Sequence, residues 1–261
     1  MGVHGIVDLS GLTVRFSESI TAVDSFSLQL FEREFVSIVG PSGCGKTTVL
    51  NVLAGLIETY DGDAFIDGQR PIAGDSRVAY MLARDSLLPW RSALENASYG
   101  LEIRGIDETV RKERAAKLLS KVGLAGFEDA WPKTLSQGMR QRVALARTFC
   151  LESQLLLMDE PFGALDAQTK IQLEDLLLEL WTTEARTVLF VTHDLSEAVA
   201  LSDRVIVMSP RPGKILADVR VDLTRPRSVR QLQSDPKFLN LYGTIWKIFE
   251  QGVNNTAGCK S

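Results

Sequence analysis

Apolar residues arrive along this chain in two rhythms, and the change between them lays out the fold. Residues 7–16 and 25–31 alternate apolar and polar positions, the period of half-buried strands. Glu34-Phe35-Val36-Ser37-Ile38-Val39 is nearly unbroken apolar, as befits a strand covered on both faces. Residues 48–57 carry Val49, Leu50, Val52, Leu53, Leu56 and Ile57, which predicts a helix buried around much of its circumference and ended by Tyr60-Asp61-Gly62. Residues 64–68 and 77–82 read as further short strands.

From about residue 92 the period becomes helical. Helices are expected over 92–103, 107–122 and 139–151, the second with Val110, Arg114, Leu118 and Val122 along one side. Leu87-Leu88-Pro89-Trp90, just before them, is an apolar group in a loop, either tucked against the core or a surface for a partner. Strand and helix then alternate again: an apolar strand at 154–158, an amphipathic helix at 167–184, a strand at 187–192, a helix opened by Asp194, and strands at 205–208 and 214–223. Beyond Arg225 the chain is polar and proline-bearing, with one helix near 236–251. Alternation of this kind predicts an α/β core around a parallel sheet with an antiparallel β flank. The expected organisation is a domain over 1–223, a helical subdomain inserted at about 84–150, and a C-terminal helical extension over 224–261.

Composition narrows the function without deciding it. The 261 residues are 45% hydrophobic with a net charge of −4, enough for a substantial core. Mild acidity leaves no electrostatic footprint for nucleic acid or anionic lipid. No apolar run approaches the ~18–20 residues of a membrane span, and the first six residues lack the blocks of a signal peptide. Cys44, Cys150 and Cys259 are far apart and form no C-x-x-C pair, so a reduced, cytosolic chain is expected rather than a disulfide or metal scaffold.

The chemistry centres on Gly40-Pro41-Ser42-Gly43-Cys44-Gly45-Lys46-Thr47-Thr48, which fits the phosphate-binding pattern G-x-x-x-x-G-K-[ST]. Glycines let backbone N–H groups converge on phosphate oxygens, Lys46 reaches the β- and γ-phosphates, and the Thr47 hydroxyl suits Mg²⁺. The pattern alone recurs by chance, but here an apolar strand runs into it and a helix runs out, the order that such a loop requires. Leu155-Leu156-Leu157-Met158 then ends in Asp159-Glu160. Strand ends of a parallel sheet are where ligands sit, so Asp159 is the candidate to hold Mg²⁺ and Glu160 the candidate general base. His193 ends the next strand and is placed to contact the γ-phosphate or the attacking water. Phe16 is either a base-stacking aromatic or a core residue. Ser136-Gln137-Gly138 precedes a helix whose free N–H groups could bind an anion. A second anion site in a chain that already has a phosphate loop points to ATP held between two subunits.

The phosphate loop, the Leu135-Ser136-Gln137-Gly138-Met139-Arg140-Gln141-Arg142 stretch, Met158-Asp159-Glu160-Pro161, Gly163-Ala164-Leu165-Asp166 and His193, in this order, resemble the ATPase subunit of ABC transporters. Leu88-Pro89-Trp90, Met139-Arg140-Gln141-Arg142 and Met208-Ser209-Pro210-Arg211-Pro212-Gly213 look like its nitrate, sulfonate and taurine importer branch. The resemblance implies a P-loop NTPase core of the RecA type and a head-to-tail pair of copies. Two ATP molecules would lie in the interface, each between one copy's phosphate loop and the other's Ser136–Gly138, with Asp166 linking the sites. It also implies transmembrane permease subunits gripped by the helical insertion, a solute-binding protein engaged indirectly, and a peripheral position on the cytoplasmic face of the membrane. A soluble ABC-type ATPase and a regulatory nucleotide-binding module are the alternatives.

Two departures stand out. Where the family carries a glutamine after the strand ending near Leu82, this chain has Ala83, whose methyl can neither ligate metal nor bond water; a water or Asp85 are the conceivable substitutes. Gln137 replaces the first glycine of the usual Leu-Ser-Gly-Gly-Gln, a strain of roughly 1–2 kcal/mol if that position needs positive φ and none if it starts a helix.

Overall fold

The computed structural model describes residues 5–163 and 165–257; the first four residues, Ala164 and Cys259 lie outside the described residues. Its elements are β1 (Val7–Ser17), β2 (Ile20–Leu30), β3 (Phe35–Val39), α1 (Lys46–Leu53), β4 (Asp61–Ile66), β5 (Val78–Met81), α2 (Ala93–Ile103), α3 (Glu108–Lys121), α4 (Gln137–Cys150), β6 (Leu155–Asp159), α5 (Ala167–Glu184), β7 (Thr187–Thr192), α6 (Leu195–Leu201), β8 (Arg204–Met208), β9 (Ile215–Arg220), α7 (Val229–Leu232) and α8 (Pro236–Ala257).

A six-stranded sheet runs in the order β5-β6-β7-β3-β8-β9, parallel except for the edge strand β9. Its strands read as continuous apolar runs because both faces are covered. Alternate residues feed two cores: Phe35, Leu156, Met158, Val188, Phe190, Val205 and Val207 face one, while Val36, Ile38, Leu155, Leu157, Leu189, Val191 and Ile206 face the other. The second core is closed by α1 and by an antiparallel sheet in the order β2-β1-β4. The first is closed by α2 to α6, and by α8, whose Phe238 and Ile245 join it.

Several helix limits differ from those expected. α1 starts at Lys46 as the phosphate-loop pattern requires, but it stops at Leu53 rather than near Ile57, because the chain turns at Gly55 and leaves Leu56 exposed. In α3 the buried positions are Ala115, Leu118 and Leu119, followed by Val122, whereas Val110 is 41% exposed. The face is chosen by packing on α2 and α4, which periodicity alone does not locate. α4 starts two residues earlier than expected, at Gln137, with Ser136 as its N-cap. The C-terminal segment is pinned by Arg227, which donates to the carbonyls of Ala200, Ser202 and Leu223.

The apolar loop before α2 is half buried. Leu87 packs on the core but Trp90 is 67% exposed. Its shape is held by the fully buried Asn96. The Asn96 amide nitrogen lies within bonding distance of the carbonyls of Leu88 (3.1 Å), Arg91 (2.9 Å) and Ser92 (3.0 Å), and its oxygen accepts from the Leu88 N–H at 2.7 Å.

Behind the sheet edge, α5 and α6 share a buried ionic cluster. Lys170 Nζ lies 2.6 Å from Asp194 Oδ2 and 2.9 Å from Glu197 Oε1, and the Thr192 hydroxyl donates to Glu197. Glu174 completes it. Burial, then repulsion from Glu197 and Asp194 against the pull of Lys170, raises its pKa from 4.5 to about 8. Burial raises Glu197 as well, while Lys170 is raised by its carboxylates and Asp194 lowered by Lys170.

Two outcomes are expected. Asn96→Ala removes the loop's anchor and leaves buried polar backbone unpaired, so urea unfolding should show a loss of roughly 2–3 kcal/mol; a change within ~0.5 kcal/mol would show that the loop holds itself. Glu174 keeps its proton longer folded than unfolded, so its contribution costs stability as pH rises from about 4.5 to about 8 and levels off above. Glu174→Gln should therefore raise the melting temperature at pH 8 relative to the natural chain and leave it little changed near pH 5. Identical pH slopes in the two proteins would show that Glu174 titrates as an ordinary carboxylate.

Candidate active site

Three neighbouring strands deliver the candidate groups to one edge. In the order β6-β7-β3, each ends at the same level, with Asp159 paired to Val191 and Val39 paired to Thr192. The next residues are therefore Glu160, His193 and Gly40, the last of which lies more than a hundred positions before the other two in sequence.

After β3 the phosphate loop wraps into α1. Gly45 caps the helix with φ 107°, and a Cβ there would stand 2.7 Å from both Ala22 O and Val23 Cγ2, so the helix can approach β2 this closely only with glycine. Lys46 is buried. Its Nζ donates to the carbonyls of Gly40 at 2.8 Å and Pro41 at 3.2 Å and lies 3.8 Å from Glu160 Oε1. The Thr47 hydroxyl donates to Asp159 Oδ1 at 3.1 Å. Burial pushes the Asp159 carboxyl upward and the Glu160 charge adds to this, against the Thr47 bond and Lys46. A site that gathers two carboxylates beside one lysine is one that a further cation would relieve.

Glu160 has φ 42°, in the left-handed region that a side chain enters at a cost of roughly 1–2 kcal/mol. Its N–H is held by Val191 O at 2.8 Å. This conformation turns the chain off the strand end, and Glu160 Oε2 meets His193 Nδ1 at 3.0 Å. Phe16, Ser42, Gly43, Gly45, Lys46, Thr47, Thr48 and Glu160 line one cavity of about 200 Å³ with Ala22 and Arg211. Phe16 is 62% exposed, so it is not a core residue. Cys44 is buried beneath the loop, and burial raises its thiol pKa. A larger cavity, about 680 Å³ around Gly5, Asp8, Phe65 and Gln154, lies at the opposite, N-terminal end of the parallel strands and shares none of these groups.

Ser136, Gln137 and Gly138 are not part of this cavity. They sit at the start of α4, where Ser136 Oγ accepts from Met139 N at 3.2 Å and Gly138 lies against Thr169 of α5. Gln137 is the first residue of the helix and is not among the positive-φ residues, so the substituted glycine carries no left-handed strain. Asp166 caps α5, and its bonds from Thr169 hold its carboxyl below the usual range. One protomer thus presents a phosphate loop and, separately, a capped helix start.

Ala83 lines another cavity, of about 240 Å³, with Asp85, Gln137, Arg140, Gln141, Pro161 and Leu165. Asp85 Oδ2 accepts from Arg140 Nε at 2.7 Å, so its carboxylate is engaged by α4 rather than free to stand in for the glutamine that the family resemblance leads one to expect at Ala83. Arg147 donates to the carbonyls of Asp85 at 2.7 Å and Ser86 at 2.9 Å. Arg211 and this Asp85–Arg140 tie are site features that the residue pattern does not announce. Only the Arg-Pro-Gly mark around Arg211 is visible in sequence.

The chain is similar to known proteins along most of its length. The family described as ABC transporter matches residues 23–163, just over half of the chain. An uncharacterized ABC transporter ATP-binding protein of Methanocaldococcus jannaschii is 46% identical over 225 residues, 85% of this chain and 84% of that one. The taurine import ATP-binding protein of Rhizobium johnstonii is 41% identical over 231 residues, 87% of this chain and 88% of its own length. A solved dimeric ATP-binding cassette in a post-hydrolysis state, bound to ADP and Pi, superposes with a TM-score of 0.72 at 30% identity, covering 84% of this chain and 100% of that chain. A phosphate loop, a carboxylate pair and a histidine meet at one sheet edge in a chain so closely matched along its length, and the chain belongs to the ABC transporter family as an ATP-binding subunit with the P-loop NTPase fold and ATPase activity.

Proposed function

We propose that this chain energises import of a small solute, of the nitrate, sulfonate or taurine kind, through partner permease subunits. The observation that carries the reading is the meeting of Lys46, Thr47, Asp159, Glu160 and His193 at the ends of β3, β6 and β7 while Ser136–Gly138 stands apart. Such a site is half of an arrangement that a second copy completes, each phosphate loop facing the other copy's α4 start. Asp166, beside that start, links the two halves. The taurine import relative supports the solute class, and the exposed Trp90 on the Asn96-anchored loop supports a permease contact there. Among the described residues no helix is long and apolar enough to cross a membrane; the membrane-spanning part belongs to partners, with this subunit peripheral on their cytoplasmic side. A solute-binding protein acts on it only through them.

The residues fit a nucleotide with Mg²⁺. Among the described residues no cluster of three His, Cys, Asp or Glu forms an all-protein cage, and Mg²⁺ needs none when one carboxylate, a hydroxyl and substrate phosphates supply oxygens. Thr47 and the water shell of Asp159 would hold it, and it would offset charge on the β- and γ-phosphates. The loop's N–H groups and the α1 dipole bind the phosphate chain. Phe16 stacks on the base. Lys46 turns from the Gly40 and Pro41 carbonyls to the γ-phosphate. Glu160 orients the attacking water and accepts its proton, and His193 fixes the Glu160 carboxylate through Nδ1.

ATP hydrolysis should collapse in Glu160→Gln, by about 10²–10³ in phosphate release, while ATP binding and ATP-dependent dimerisation persist. Lys46→Ala should lose nucleotide affinity. Turnover at the natural rate in Glu160→Gln would remove that residue from its role. Ala83→Gln tests the departure. A modest change in turnover with the permease present is expected of a chain adapted to alanine, whereas a gain of about 10³ would mark the natural chain as one with turnover suppressed. Recovery of a multi-span membrane protein with the tagged chain would support the transport reading over a soluble ATPase.

A further inference from the structure

The loop joining β8 to β9 reaches the phosphate loop from outside the motifs that define it. Gly213 lies so close to Cys44 that a Cβ would stand 2.1 Å from the Cys44 carbonyl oxygen. Its N–H donates to Ala22 O at 2.9 Å and its carbonyl accepts from Asp24 N at 3.0 Å, so the loop is fastened to β2 as well. Ser209 stiffens it from within, its Oγ lying 2.9 Å from Pro210 O and 3.0 Å from Pro212 O and accepting from Lys214 N at 2.9 Å. On this braced loop Arg211 points its Nε at Gly43 O, 3.2 Å away.

That bond uses one of five guanidinium donors. Among the described residues no carboxylate pairs with Arg211 in a salt bridge, and its side chain lines the same cavity as Phe16, Lys46 and Thr47. A guanidinium with no carboxylate partner beside a phosphate loop is matched to an anion, and the fork of donors fits phosphate oxygens better than a point charge does.

We propose that Arg211 is a second cationic ligand of the nucleotide's phosphate chain, acting beside Lys46. The bland alternative is that Arg211 only steadies the Gly43 carbonyl. The two differ in whether charge matters. Arg211→Gln keeps an N–H donor for Gly43 and loses the charge; Arg211→Lys keeps the charge and loses the fork. The proposal rests on the nucleotide site described above, and Lys46→Ala measured in parallel tests that site by itself.

The measurement is calorimetric titration of the full chain with ATP and with ADP across a salt series, together with the melting temperature of the nucleotide-free protein. Arg211→Gln should weaken both nucleotides about tenfold at low ionic strength, the loss shrinking as salt screens the charge, with the melting temperature unchanged. Arg211→Lys should retain most of the affinity. Natural affinity in Arg211→Gln at low salt would overturn the proposal, as would an equal loss at every salt concentration accompanied by a lower melting temperature, the mark of a brace. Undiminished ATP binding by Lys46→Ala would instead overturn the phosphate-loop reading, and the role of Arg211 with it.

Discussion

The parallel pairing of β6, β7 and β3 is the constraint on which the rest depends. Backbone hydrogen bonds set these three strands side by side and in register, so that Asp159, Val191, Thr192 and Val39 end at one level. Burial on both faces makes the register hard to slip. A shift of one residue would carry Phe190 and Val191, or Leu157 and Met158, into the wrong core. The precision of the site is thus inherited from packing some distance beneath it. Glu160 and His193 stay in contact at 3.0 Å because their strands cannot slide past one another.

Electrostatics at that edge follows from the same burial. Asp159 and Glu160 are adjacent carboxylates with Lys46 as the buried cation between them and the loop. Under the proposed function, a phosphate chain and a divalent cation enter together, so the cation offsets part of the phosphate charge and Lys46 with the loop N–H groups meets the remainder. Behind the edge, the Lys170 cluster repeats the theme without a ligand. Its three carboxylates exceed its one lysine, and a proton held on Glu174 up to about pH 8 reduces the imbalance. That cluster joins α5, capped by Asp166, to α6, capped by Asp194 next to His193.

Helix α4 is tied to the segment after β5 by polar bonds rather than by a shared strand. Arg140 and Arg147 of α4 hold Asp85 and Ser86, the segment that runs from Ala83 to the exposed Trp90 loop. In the proposed transporter, a push on that loop would be carried to α4 through two guanidinium groups. Under that proposal this is a physical route for coupling in a chain that has Ala83 where the family resemblance leads one to expect glutamine.

Much was legible in the residues alone. The phosphate loop, the Asp159-Glu160 strand end and the apolar strands declare themselves because each is a local necessity: glycines for close backbone approach, apolar runs for double burial, carboxylates at a strand end. Helix limits were less legible. The true start of α4 at Gln137 depends on a cap, and the buried face of α3 depends on which neighbours it meets. What only the tertiary structure decided is adjacency. No periodicity says that β7 lies between β6 and β3, that Asp85 is taken by Arg140, or that Arg211 stands beside Gly43. Sequence records which groups can do chemistry, since that is a property of each side chain and its neighbours in the chain. Which groups meet is set by non-local burial and pairing, whose energy is shared over the whole sheet and is written at no single position.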